Sequence, residues 1–150
     1  MPAKASFMMQ AYEEAVEAGK RGEVPVGAVI VHNGEVIGAD GNRTLELRDP
    51  TAHAEILAIR HATKFLNSER IEDCDLYVTL EPCTMCAGAI SFSRIRRLYY
   101  GATDLKSGGV ENGARFFTQA TCHHVPEIYS GIMETECSTL LRDFFKQRRN

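Results

Sequence analysis

At 150 residues, 44% hydrophobic and 25% charged, the chain has the length and composition of one folded domain, residues 1–150, not of a disordered or fibrous protein. Its net charge of −3 excludes a uniformly basic nucleic-acid binder, and no apolar run approaches the roughly 18 residues of a membrane span. The start, Met1-Pro2-Ala3-Lys4-Ala5-Ser6, lacks an apolar leader region. Five cysteines, an odd number, suit reduced thiols in a cytoplasm better than a disulfide framework.

Ser6 is the expected cap of a first helix running to about Arg21, with Phe7, Ala11, Ala15 and Ala18 at helical spacing and Gly19 and Gly22 ending it. Val26-Gly27-Ala28-Val29-Ile30-Val31 reads as a strand buried on both faces. Asn33-Gly34 is a strong hairpin signal leading into a return strand, Val36-Ile37-Gly38-Ala39. Asp49-Pro50-Thr51 is expected to open a helix through about Phe65, with Ile56, Ile59, Ala62 and either Thr63 or Leu66 on its inner side. A third strand, Leu76-Tyr77-Val78-Thr79-Leu80, runs into Pro82 and a helix from Cys83 to about Ser91. Arg97-Leu98-Tyr99-Tyr100-Gly101 is a fourth strand. Residues 102–123, with Gly108, Gly109 and Gly113, form a long loop with at most one helical turn, and loops of that length are usually functional or mobile. Val125 to Tyr129 is a short fifth strand. A last helix spans about Met133 to Arg148, with Leu140, Leu141, Phe144 and Phe145 as its apolar face. The order αββαβαβ(β)α predicts an α/β protein with helices on both faces of a mixed five-stranded sheet, without linker or repeat.

Two short motifs carry chemistry. Cys83 and Cys86 are three apart, so two thiolates can grip one metal ion from a single turn, and His53 offers a nitrogen ligand. Taken alone, a CxxC fits structural zinc, a redox pair or two core cysteines better than catalysis. The conjunction with His53-Ala54-Glu55, 83 − 53 = 30 residues earlier and also at a predicted helix start, is far more specific. His53 and Glu55 are two apart, so on a regular helix they diverge by about 200°. They converge only where side chains project past a helix N-terminus, which places the metal between two helix ends. Three ligands and one spare acid make a catalytic rather than a structural zinc inventory, one ion per chain. Zinc with two thiolates and a neutral imidazole has a formal charge of +2 − 2 = 0, a weak Lewis acid, so a water there needs a nearby base, and Glu55 is placed to take its proton.

Other candidates are weaker. His61 lies two turns beyond His53, too far for the same ion, and His32 adjoins the hairpin turn. Cys74 and Cys137 read as small buried hydrophobes, whereas Cys122-His123-His124 offers a less favoured fourth ligand or second metal site. Arg94, Arg96 and Arg97 form one basic cluster. The last nine residues set Arg142, Lys146, Arg148 and Arg149 against Asp143, 4 − 1 = +3. Such runs are usually solvated surface, yet a local patch can dock phosphates on an acidic protein.

The pattern H-x-E…P-C-x-x-C is the known signature of zinc-dependent deaminases, and the name of that class comes with the motif as a whole. With its flanking blocks the chain resembles the bacterial tRNA-specific adenosine deaminases of the cytidine deaminase-like superfamily over nearly its whole length. The blocks are Glu23-Val24-Pro25-Val26-Gly27-Ala28-Val29, Gly41-Asn42-Arg43, Asp49 to Ile56, Leu76 to Ala89, Ser93-Arg94-Ile95, Tyr100 to Lys106, and Phe144 to Arg149. The zinc motif alone is shared with cytidine, cytosine, guanine and riboflavin-pathway deaminases. The resemblance implies a three-layer α/β/α fold, zinc on His53, Cys83 and Cys86, and Glu55 as proton shuttle. It implies hydrolytic deamination at C6 of the wobble adenosine of an arginine tRNA to inosine, in a homodimer. It further implies that Asn42, Ala54 and Asp104 bind the flipped nucleotide and its neighbour. The tail ends soon after its arginines, so RNA contact is expected from Lys106 and the final helix, at Phe145, Arg148 and Arg149. A free-base or nucleoside deaminase and an RNA-binding module with structural zinc are the rival readings.

Overall fold

The computed structural model describes residues 3–148. Helix α1 (Ala3–Lys20) precedes β1 (Gly27–His32), β2 (Glu35–Gly41), α2 (Ala54–Leu66), β3 (Cys74–Leu80), α3 (Thr84–Phe92) and β4 (Arg97–Ala102). A 3-10 turn (Phe116–Thr118), β5 (Glu127–Tyr129) and α4 (Glu134–Arg148) complete the chain. The strands form one sheet in the order β2-β1-β3-β4-β5. β1 is antiparallel to β2 and β3, whereas β3, β4 and β5 run parallel.

Period-two alternation divides the sheet into two apolar faces. Ala28, Ile30, Leu76, Val78, Leu98 and Tyr100 pack with Ala54, Ala58 and Ala62 of α2 and Ala87 and Ile90 of α3. Val29, Val31, Tyr77 and Tyr99 pack with Met8 and Ala11 of α1 and with Ile132 and Met133 at the entrance to α4. The result is the expected three-layer α/β/α sandwich. Each large side chain buried here contributes about 1.5–3 kcal/mol, so the two faces hold the layers on the sheet. α2 presents alanines to the sheet and meets a glycine there: a Cβ on Gly38 would lie 2.5 Å from the Ala58 carbonyl oxygen. That close approach seats α2 directly on the sheet.

The register gathers the functional loops. Gly27 pairs with Gly41, Ala28 with Val78, and Leu80 with Ala102, so β1 begins where β2, β3 and β4 end. Loops 42–53, 81–83 and 103–115 therefore leave the sheet at one end, where the mouths of α2 and α3 also open.

Several expected boundaries shift. Ser6 lies inside α1, because Ala3-Lys4-Ala5 are good helix formers and extend it. α2 begins at Ala54 instead of 49–51: the Asp49 carboxylate accepts the Thr51 N–H and hydroxyl at 2.9 and 2.6 Å and makes a local turn. With that start the inner face is Ala54, Leu57, Ala58, Ile59 and Ala62, and Ile56 is only half-buried. Met133 has φ 58°, outside the helical region, so α4 starts one residue later. α4 buries only Cys137 fully. Leu140, Leu141 and Phe144 are half-buried and Phe145 is 45% exposed, because the helix meets the sheet at Cys137, against Gly101, and borders a groove with Leu141 and Phe145.

Candidate active site

Both helix mouths are built to present ligands. His53 caps α2 with φ −73°, ψ 153°, and Cys83 caps α3 with φ −71°, ψ 174°. Neither side chain turns back to cap its own helix, so both point into the space between. Cys86, one turn into α3, completes the group. His53 Nδ1 stands 3.6 Å from Cys83 Sγ and 3.5 Å from Cys86 Sγ, and the three ligand atoms lie within 4.8 Å of one another. A tetrahedral zinc with its usual Zn–S and Zn–N bonds has an S···N edge of roughly 3.6 Å, so the donors match in both chemistry and spacing. Glu55, in the first turn of α2, stands beside the triangle and outside the ligand set.

The site is electrostatically primed. Burial lifts the Glu55 carboxyl to about 7, against the pull of its own N–H and of His53. Hydrogen bonding from Cys86 and His53 draws Cys83 down to about 4, while Cys86 is pushed strongly upward by the thiolate beside it and by burial. Cysteine ligates a metal as the thiolate, so both sulfurs would be deprotonated around a cation held here. The hydrogen bond to Cys83 outweighs burial at His53 and raises its pKa.

The triangle opens on a cavity of ≈ 230 Å³ lined by Val24, Val26, Asn42, Thr44, Leu80, Asp104 and Ser107 as well as His53, Glu55, Glu81 and Cys83. Asn42 is engaged at both ends: Oδ1 accepts the Ala54 N–H at 2.8 Å and Nδ2 donates to the Val24 carbonyl at 3.0 Å. It thus supplies, from the start of the loop that His53 ends, the cap that His53 does not give α2. Beyond a shared wall of Val24, Leu80, Asp104 and Ser107 lies a groove of ≈ 710 Å³, lined also by Leu105, Lys106, Ser138, Leu141, Arg142 and Phe145.

Of the residues expected to meet RNA, Lys106 and Phe145 line this groove. Arg148 lines neither hollow; its guanidinium lies 4.4 Å over the Phe144 ring and donates to the Gly22 carbonyl at 3.4 Å. Arg149 is outside the described residues. Cys122 packs against the Ser91 hydroxyl, and His124 donates to the Ile95 carbonyl at 2.6 Å; neither joins a metal-binding group among the described residues. A second trio, His32, Asp73 and Cys74, lies at the opposite sheet end, where burial and two flanking aspartates lift the Cys74 thiol to about 11.

Two buried carboxylates beside the site were given no role from the sequence. Glu23 and Glu81 are each 2% exposed; Glu81 lines the cavity, and Glu23 lies next to Val24, which also lines it. Glu23 accepts the Leu45 and Glu46 N–H groups at 3.1 and 2.9 Å. Burial would raise Glu81, but hydrogen bonds from Asp104, Asn112 and Val110 hold it below the usual carboxylate range. The only signal was their membership of two blocks that carry the family resemblance, Glu23 to Val29 and Leu76 to Ala89.

Fold and site together define the deaminase class. A family model, MafB19-like deaminase, matches residues 3–149. A relative from Agrobacterium fabrum named tRNA-specific adenosine deaminase is 60% identical over 149 residues, 99% of this chain and 98% of its own. A solved structure from a study of A-to-I editing by tRNA:A34 deaminases at the wobble position superposes with a TM-score of 0.90 and 62% identity, covering 91% of this chain and 99% of the other. A guanine deaminase from Bacillus subtilis superposes with a TM-score of 0.65 and 31% identity, covering 97% and 93%. The chain belongs to the MafB19-like deaminase family, in the group of the tRNA-specific adenosine deaminases.

Proposed function

We propose that this protein is a zinc-dependent hydrolase that converts the wobble adenosine of a tRNA anticodon, carried by an arginine tRNA, to inosine and ammonia. The observation that carries this reading is the buried Glu55 beside a zinc-sized His53–Cys83–Cys86 triangle on the floor of a narrow cavity. His53 Nδ1 and the two sulfurs would hold the ion. Zinc bound there supplies a Lewis acid that makes water easier to deprotonate and more nucleophilic.

The remaining chemistry belongs to the chain. A carboxyl enclosed beside the ligand triangle, with no cationic side chain pairing it among the described residues, can accept a proton and return it within the closed site. Glu55 takes a proton from the water whose oxygen attacks C6 and passes it to N1 of the base. It then takes the remaining hydroxyl proton and delivers it to the exocyclic amine. A C–O bond forms, the C–N bond breaks, and one water is consumed for each ammonia released. Asn42 keeps one Nδ2 hydrogen and one Oδ1 lone pair beyond its two internal bonds, enough to orient a base edge.

A nucleic-acid substrate is supported by the groove beside the cavity, which offers two cations, Lys106 and Arg142, and an aromatic ring, Phe145. A loop base is already partly unstacked and enters a closed pocket at low cost. Exposed Phe65, Met85 and Phe92, at 68, 38 and 77%, support a second copy of the chain covering α2 and α3. Five free cysteines support a reducing cytoplasmic setting, and among the described residues no helix is long and apolar enough to cross a membrane.

A synthetic anticodon stem-loop with wobble adenosine should yield inosine while free guanine and cytosine stay unchanged. Failure to convert the stem-loop with one zinc bound per chain sinks the proposal. Turnover of guanine instead would favour the free-base reading that the Bacillus subtilis likeness represents.

A further inference from the structure

Glu81 has no part in the proton transfers, yet it is the most heavily bonded carboxylate near the site. It lies between Leu80, the end of β3, and the Pro82-Cys83 ligand turn. Its Oε1 accepts the Asp104 N–H at 3.0 Å and Asn112 Nδ2 at 2.8 Å. Oε2 accepts the N–H groups of Val110, Glu111 and Asn112 at 3.1, 2.9 and 3.1 Å. All five donors come from one loop, none is cationic, and four are main-chain amides. Such a set suits an acceptor-only carboxylate, an anion enclosed by backbone dipoles.

The loop is shaped to close on it. A Cβ on Gly108 would lie 2.5 Å from the Glu81 carboxyl carbon, and one on Gly109 would lie 2.5 Å from the Thr84 nitrogen at the mouth of α3. The Gly109 N–H donates to the Pro82 carbonyl at 2.8 Å, so the loop is clipped to both sides of the ligand turn. Its rim is the wall between the two hollows: Asp104 and Ser107 face both cavity and groove, and Leu105 and Lys106 face the groove alone.

We infer that Glu81 is a positioning residue: its carboxylate anchors loop 103–115 and thereby sets the wall that seats the nucleotides flanking the target base. This rests on the proposed function, because only a polymeric substrate has flanking nucleotides to lay in the groove. The anchor acts on substrate binding and leaves the Glu55 proton transfers alone. Its loss therefore raises KM for the RNA more than it lowers kcat, whereas a role confined to folding would reduce the active fraction at constant KM.

The test compares the parent chain with Glu81→Gln, which places an NH₂ among N–H donors. Zinc content should stay near one per chain. Limited trypsin cleavage after Lys106 should speed up about tenfold, and KM for the stem-loop should rise about tenfold with kcat within about threefold. Unchanged cleavage and KM overturn the inference, as does a fall in kcat at constant KM. Should Glu81→Gln fail to fold, Asn112→Ala decides, since it removes one of the five bonds. It must shift cleavage and KM in the same direction, and no shift in either overturns the inference. If the parent chain does not convert the stem-loop, the proposed function has failed, and Lys106 cleavage alone then judges the anchor.

Discussion

Asn42 is the residue whose substitution best separates a structural role from a substrate role. Asn42→Ala removes the bond from the Ala54 N–H at 2.8 Å and the bond to the Val24 carbonyl at 3.0 Å. Ala54 is 0% exposed, so its N–H at the mouth of α2 loses the only partner on its side. An orphaned buried donor costs about 1–3 kcal/mol, and the cavity beside it admits water and favours the lower half of that range. The Val24 bond is exposed and adds at most about 0.5–1 kcal/mol. Together these give about 2 kcal/mol, a fall in Tm of roughly 4–8 °C for a domain of this size. Because α2 carries His53 and Glu55 at that mouth, loosening it displaces a ligand and the base together. The assay is thermal unfolding of the zinc-loaded protein, followed by zinc content and stem-loop kinetics. An unchanged Tm, within about 1 °C, accompanied by lost activity would refute the cap and leave Asn42 a substrate ligand only.

Three further outcomes follow from the structure. Glu55→Gln keeps the shape and the metal triangle but removes the proton carrier, so zinc content persists while kcat falls by about 10²–10⁴; metal analysis beside single-turnover rates checks both. Asp40 is titrated by opposed effects: burial would raise it, but hydrogen bonds from His61 and Arg43 take it below its ordinary value of 3.8. A group lowered on folding stabilises above its unfolded pKa and loses that contribution as pH falls through its folded pKa. Asp40→Asn should therefore cost roughly 2 kcal/mol at pH 7, a difference that shrinks in melts below about pH 4. Arg142→Ala removes a cation from the groove, and the slope of log K against log salt should flatten by about one charge while zinc content is unaffected. An unchanged slope would show that RNA does not use this groove.

Much of this protein was legible from local pattern. The unbroken apolar run that buries β1 on both faces, the Asn33-Gly34 turn and the helical spacing of alanines in α1 are set by neighbours within a few residues, and all were recovered. The ligand group was legible for a related reason. A spacing of two at His53 and Glu55 permits convergence only at a helix mouth, and the structure places both there. Even so, a local signal misled where a side chain had a nearer partner: Asp49 makes a turn with Thr51 and leaves the start of α2 to His53.

Only the tertiary structure decided which distant groups became one another's partners. Asn42 caps a helix twelve residues away, Glu81 gathers donors 23 to 31 residues on, and Arg148 turns to a carbonyl 126 residues back. No motif encodes these pairings. They arise because the register of β1, β2, β3 and β4 brings loops 42–53 and 103–115 to one end of the sheet. Backbone N–H groups buried there need acceptors, and the buried carboxylates and amide supply them.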